Sequence, residues 1–324
     1  MNKILITGAL GQIGTELASA LCERYGQENV IASDVRPKKE TDEIVDCLFI
    51  PLDVTNPKGV AEIVQKHNVG TIYHLAALLS AVAETKPQIA WNVNMNGLYY
   101  ILEVAREFHC SVFTPSSIGA FGISAPHDRT PQETIQRPST MYGVTKVAGE
   151  LLCDYYFKRF GVDTRGVRYP GLISYKTLPG GGTTDYAVEI FYEAIRSQKY
   201  TCFLKEGTYL DMMYMPDAID AAIRLMEANP DRLKHRNAFN VTSMSIAPEV
   251  ISAEIRKHIP EFEMNYRIDP IRQAIADSWP NSLDDSAARE EWGWKPTFKL
   301  PEMAADMLEK LSKKLNVNNL LDHE

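Results

Sequence analysis

Three glycines, Gly8, Gly11 and Gly14, recur at a three-residue spacing directly behind the apolar run Ile4 to Ile6. An apolar strand that breaks into such a turn and then opens a helix is the most restrictive pattern in the chain. Glycine permits the tight turn and close backbone approach, and the helix N-terminus behind it offers free N–H groups and a positive dipole end to a pyrophosphate. Gly8, Gly11, Gln12, Ile13 and Gly14 are therefore expected to hold the diphosphate of a dinucleotide. Asp34 closes the next apolar run, 20 residues beyond Gly14, where a carboxylate accepts the hydroxyls of an adenosine ribose. That carboxylate favours NAD, because it would repel the 2′-phosphate of NADP; Arg36, two residues on, partly offsets the preference. Asp53 and Val54 end a third run and are expected to frame the adenine.

The alternation continues. Strands are predicted at Lys3–Thr7, 29–34, 47–53, 71–76, 111–116 and 163–169, with helical patterns between them. This is the signature of an α/β fold, a doubly wound parallel (Rossmann) sheet covered on both faces, whose ligand site lies at the carboxyl ends of the strands. Residues 1–173 are read as the cofactor domain, with a return segment near 211–242. Residues 174–315 are read mainly as a smaller, partly discontinuous substrate domain, with helices at 186–196 and 216–227, and 316–324 as a polar tail. The long helices predicted at 89–108 and 142–160 are apolar on more than one face, the second through Leu151, Leu152, Tyr155, Tyr156 and Phe157. The surplus fits a homodimer or a cap from the chain's own second part equally well.

Composition narrows the function classes. The 324 residues are 45% hydrophobic and 23% charged, ordinary globular usage, and the net charge of −8 disfavours nucleic acid, whose backbone demands clustered cations. Five cysteines, an odd number without any C-x-x-C pair, point away from a disulfide framework and towards a reducing compartment. The seven histidines show no short-range ligand spacing, so no metal is expected; His74 is read as structural or cofactor-flanking. No apolar stretch reaches the roughly 18 residues of a membrane span, and the N-terminal apolar run is too short for a signal peptide. A cytoplasmic protein is expected.

Tyr142 and Lys146 are four residues apart, on one face of a predicted helix. A free tyrosine titrates near 10 and is a poor base at neutral pH, but a neighbouring ammonium favours the phenolate of such a group. With a dinucleotide turn upstream, the pair reads as an acid/base site for hydride chemistry.

These residues, with His74-Leu75-Ala76-Ala77, Asn94-Met95-Asn96-Gly97, Pro115-Ser116-Ser117 and Arg168-Tyr169-Pro170-Gly171, resemble the extended short-chain dehydrogenase/reductase superfamily nearly end to end. The resemblance implies that Tyr142 is the acid/base, that Lys146 holds the nicotinamide ribose, and that Ser117 hydrogen-bonds the reacting oxygen, a role Ser116 could share. It also places Leu75, Ala76, Ala77, Asn94 and Tyr169 around the cofactor. Within the superfamily, Pro115 to Gly122, Arg168 to Ile173, Gly180 to Tyr186 and Ser278-Trp279-Pro280 resemble the short-chain-type L-threonine 3-dehydrogenases, relatives of the UDP-galactose epimerases. By that resemblance Ser80, Gly182, Thr183 and Thr184 contact the amino acid's charged groups and Trp279 closes over it, with L-threonine oxidised to L-2-amino-3-oxobutyrate. Taken alone, the glycine run reads as a connector and Trp279 as a core aromatic. The alternative is a nucleotide-sugar epimerase or dehydratase, which shares the cofactor and acid/base residues; a scaffold that binds NAD without chemistry would be expected to lack Tyr142 or Lys146.

Overall fold

The computed structural model describes residues 2–40, 44–177 and 180–315; the predicted tail lies outside them. Its central sheet has six parallel strands: β1 (Lys3–Thr7), β2 (Val30–Asp34), β3 (Leu48–Pro51), β4 (Val69–His74), β5 (Ser111–Phe113) and, after β6 below, β7 (Thr164–Arg165). Their order is 3-2-1-4-5-7. The chain winds outward from β1 to β3 and then restarts at β4 on the other side of β1, so the switch point lies between β1 and β4.

Burial on both faces explains why β1 is continuously apolar. Ile4 and Ile6 pack with one helical layer, α1 (Gln12–Tyr25) and α8 (Met215–Glu227). Leu5 packs with the other, α2 (Pro57–His67), α5 (Gly97–Phe108) and α6 (Met141–Phe160). Between them in sequence run α3 (Ser80–Thr85), α4 (Pro87–Trp91) and α7 (Tyr186–Arg196). Among the described residues no helix is long and apolar enough to cross a membrane.

Two predicted strands are each divided. Residues 111–116 split into β5 and β6 (Ser116–Ser117), and 163–169 into β7 and β8 (Val167–Tyr169). Pro115 has no N–H for the ladder, and a Cβ on Gly166 would stand 2.3 Å from the Thr114 carbonyl oxygen, so the chains step past each other here. Beyond the step, β6 pairs with β8, and β8 with β12 (Phe239–Asn240), extending the parallel arrangement by a late segment of the chain. Of the strands between, β9 (Gly171–Ile173) pairs with β11 (Leu210–Tyr214), and β10 (Lys199–Cys202) with the later strand Glu263–Tyr266. The predicted helix 89–108 is α4 and α5 joined by a π turn, Asn92–Asn96. A separate core gathers α7, Trp279 and the helix Leu300–Lys314.

Candidate active site

One cleft, with a volume of about 660 Å³, opens at the carboxyl ends of β1 and β4, within the range of cofactor and small-molecule sites. Every residue predicted for the site lines it except Asn94. Its floor is the glycine turn. Gly8 has φ +72°, and a Cβ there would lie 2.8 Å from the Ala76 backbone nitrogen; one on Gly14 would lie 2.4 Å from the Gly8 carbonyl oxygen. Leu75 to Ala77 thus press directly against the turn, and only a residue without a side chain fits at Gly8 and Gly14. α1 starts at Gln12 with Gly11 as its cap and no side chain over its first N–H groups. That is the cradle a diphosphate requires.

Asp34 is buried at the end of β2. It accepts the Leu10 N–H at 3.1 Å and a two-pronged contact from Arg36 at 3.0 and 3.2 Å. Burial opposes its charge, but the Arg36 side-chain and backbone bonds, the Leu10 bond and the guanidinium charge together hold it below the usual carboxylate range. Asp53 is exposed and accepts the Thr55 N–H and hydroxyl, fixing the turn in front of buried Val54.

Asn94 lies in the π turn, beside the cleft. Its side chain accepts the Leu78 N–H at 2.8 Å and donates to the Leu78 carbonyl and to Thr145 Oγ1, and it lines a small adjoining cavity of about 30 Å³. It secures the loop leading to Ser80. His74 ends β4 with Nδ1 2.9 Å from Thr7 Oγ1. Burial first, and the Lys146 ammonium second, push its pKa down to about 3, so the imidazole is neutral and tied across the two central strands.

α6 begins at Met141, capped by Thr140, whose hydroxyl oxygen accepts the Gly143 N–H at 3.0 Å. Glu84 on α3 accepts the Met141 N–H at 2.6 Å, tying the helix of Ser80 to that of Tyr142. The Lys146 ammonium lies 5.4 Å from the Tyr142 ring centre and donates to the Pro115 carbonyl at 2.7 Å. Ser117 Oγ accepts the Gly119 N–H at 3.1 Å, which leaves its own proton to donate. Ser116 touches the same wall, but its hydroxyl donates to Glu150 in the interior, as strand alternation requires of neighbours. Tyr169 is buried, its hydroxyl donating to the Ala218 carbonyl.

The glycine run is shaped by a residue that sequence reasoning missed. Asp185 Oδ2 accepts the N–H groups of Gly181 at 2.9 Å and Gly182 at 2.6 Å, so these donors, expected to meet a substrate, are already engaged. Burial, only partly opposed by those two bonds, pushes the Asp185 pKa up to about 6. Among the described residues it has no ion-pair partner. Its place directly before α7 gave it the look of an ordinary helix cap, yet its side chain caps nothing and turns back into the loop. Thr183 beside it is fully buried, its hydroxyl without a hydrogen-bond partner. Trp279 is 5% exposed: it belongs to the second core and also borders the cleft.

Comparison with known proteins agrees with this geometry. The chain is 56% identical over 314 residues to a Staphylococcus haemolyticus protein named uncharacterized epimerase/dehydratase, covering 97% of this chain and 99% of the relative. Among solved structures it superposes on an L-threonine dehydrogenase from Clostridium difficile with TM-score 0.95 and 60% identity, covering 97% and 98% of the two chains. The holo form of a GalE-like L-threonine dehydrogenase from Cupriavidus necator matches with TM-score 0.92 and 53% identity, over 95% and 99%. A Thermotoga maritima UDP-glucose 4-epimerase, at 23% identity and TM-score 0.85, shares the fold. The glycine cradle and Asp34 fit NAD, and the chain is an NAD-dependent oxidoreductase of the short-chain dehydrogenase/reductase type. Residues 4–242 match the family profile, and the chain belongs to the NAD dependent epimerase/dehydratase family.

Proposed function

We propose that this chain oxidises the β-hydroxyl of L-threonine, giving L-2-amino-3-oxobutyrate. The observation that carries this reading is Asp185, a buried carboxylate bordering the cleft with no cation paired to it among the described residues. A buried acid of this kind calls for a cationic ligand group, and the α-ammonium of an amino acid supplies one. A nucleotide sugar would instead bring a diphosphate, which the same carboxylate repels. The names of the neighbouring structures support the same substrate.

Gly8 to Gly14, Asp34 and Lys146 would hold NAD, which when bound accepts a hydride at its nicotinamide. Ser117 donates to the substrate hydroxyl oxygen, and Tyr142 takes the hydroxyl proton as the Cβ–H bond breaks. Ser80, Thr183 and Thr184 supply hydroxyls to the amino acid's charged groups, and Trp279 helps exclude water. We also propose a homodimer through α5 and α6, whose outer face leaves Tyr99, Leu151, Tyr155 and Phe160 exposed.

The test is the absorbance of NADH on mixing the purified protein and NAD with L-threonine, L-allo-threonine, L-serine or UDP-galactose. NADH formed fastest with L-threonine supports the reading. Conversion of UDP-galactose without net reduction, and no NADH from any amino acid, overturns it.

A further inference from the structure

Tyr142, Lys146 and Glu150 recur every four residues and so share one face of α6. Each meets the segment 115–119 at a separate point. A Cβ added at Gly119, just behind Ser117, would come within 3.1 Å of the Tyr142 ring, so the two chains are in contact there. Lys146 donates to the Pro115 carbonyl at 2.7 Å. Ser116 donates to Glu150 Oε1. The third contact is the one furthest from the cleft, and it is the most heavily built. Arg168, on β8 directly beside Ser116, grips Glu150 with Nε at 3.1 Å and Nη2 at 2.9 Å, and Gln136 Nε2 adds a bond at 2.9 Å. Both partners of the ion pair are buried, and the Arg168 guanidinium lies 5.0 Å over the Phe121 ring.

We infer that Glu150, backed by Arg168, is a positioning residue that sets the register between α6 and the serine strand, and thereby the placement of Ser117 against Tyr142. The inference rests on the reading of Tyr142 and Ser117 given above. A buried ion pair is a poor source of net stability but a stringent source of geometry, because neither charge tolerates loss of its partner. Ser116 and Ser117 point to opposite sides of one strand, so anchoring the first fixes where the second can reach. A shift of about 1 Å in such a constellation lowers the rate of chemistry by roughly 100-fold without weakening ground-state binding.

The test uses Glu150→Gln, which keeps the shape and the acceptor for Ser116, Glu150→Ala, which removes the anchor, and Ser116→Ala, a milder cut at the other end. NADH appearance is followed in single turnovers, with enzyme and NAD saturating over limiting L-threonine. The plateau rate constant reports chemistry and does not depend on the fraction of active molecules. Expected are a fall of about 10- to 100-fold in that constant for Glu150→Ala, a smaller fall for Ser116→Ala and an intermediate fall for Glu150→Gln, which keeps the shape but leaves the Arg168 charge unpaired, with KM for L-threonine and for NAD within about threefold of wild type. If Glu150→Ala does not fold, Ser116→Ala carries the comparison with Glu150→Gln. A folded Glu150→Ala or Ser116→Ala with the wild-type rate constant overturns the inference, whereas a wild-type protein inert towards L-threonine overturns the underlying reading instead.

Discussion

The Lys146 ammonium stands 5.4 Å from the centre of the Tyr142 ring while one of its protons is committed to the Pro115 carbonyl. The lysine is thus held beside the tyrosine by the strand that carries Ser117, not by the helix alone. Removing the phenolic oxygen while keeping the ring isolates its role. Tyr142→Phe is expected to lower kcat by roughly 10²- to 10⁴-fold, with NADH affinity changed by no more than a few-fold in a fluorescence titration. A variant that retains most of the turnover would remove Tyr142 as the base.

Asp34 should control which dinucleotide binds. Asparagine at this position keeps the shape and loses the charge, and a hydrogen bond to a charged group contributes about 1.5–3 kcal/mol. Asp34→Asn should weaken NAD roughly 10- to 100-fold in calorimetric titration. NADP should gain, since the carboxylate charge that repels a 2′-phosphate is gone. Unchanged affinity for both cofactors would show that the carboxylate does not reach the ribose.

Asp185 supplies a pH signature. With a pKa of about 6 it is ionised at neutral pH, and acidification through that value removes the charge proposed to pair with the substrate ammonium. KM for L-threonine should therefore rise about tenfold per pH unit below pH 6 while KM for NAD stays level. Stability runs the opposite way. The folded pKa lies above the unfolded value of about 3.9, so between about pH 4 and 6 the native state holds the extra proton and the ligand-free fold loses stability as pH rises. Asp185→Asn should flatten this contribution in thermal melts and weaken threonine binding at neutral pH. A flat KM for L-threonine in the wild type from pH 7 to 5 would refute the pairing.

The outer face of α6 predicts an assembly. Leu151 is 63% and Tyr155 52% exposed, and Tyr99 and Phe160 join them through edge-on contacts with Tyr155 and Tyr156. Light scattering should report twice the 36.4 kDa chain mass, and Leu151→Glu should halve it. A monomer for the wild type is the outcome that rejects the homodimer.

The parts of this architecture that were legible in the sequence are those encoded at short range. Gly8 to Gly14 follows β1 without a gap, Asp34 ends the next strand, and Tyr142 and Lys146 are one helical turn apart. What escaped depends on partners distant in the chain. The strand break at Pro115 takes its meaning from Gly166, some fifty residues on, and the side to which Ser116 points is decided by Glu150. Asn94 could be picked out as a residue, but its bonds to the Leu78 backbone and to Thr145, 51 residues on, could not. Asp185 takes its role from a loop that folds back onto it, which spacing along the chain does not encode.

The catalytic strand has a long dependency in time as well as in space. β6 leans on β8, and β8 is closed on its far side by Phe239–Asn240. As the chain leaves the ribosome, the nucleotide-binding half emerges with that flank bare, and the support behind Ser117 is finished only after Asn240 has been made. A gene cut after residue 173 would yield a sheet with an unfinished edge beside Ser117, not a transplantable module.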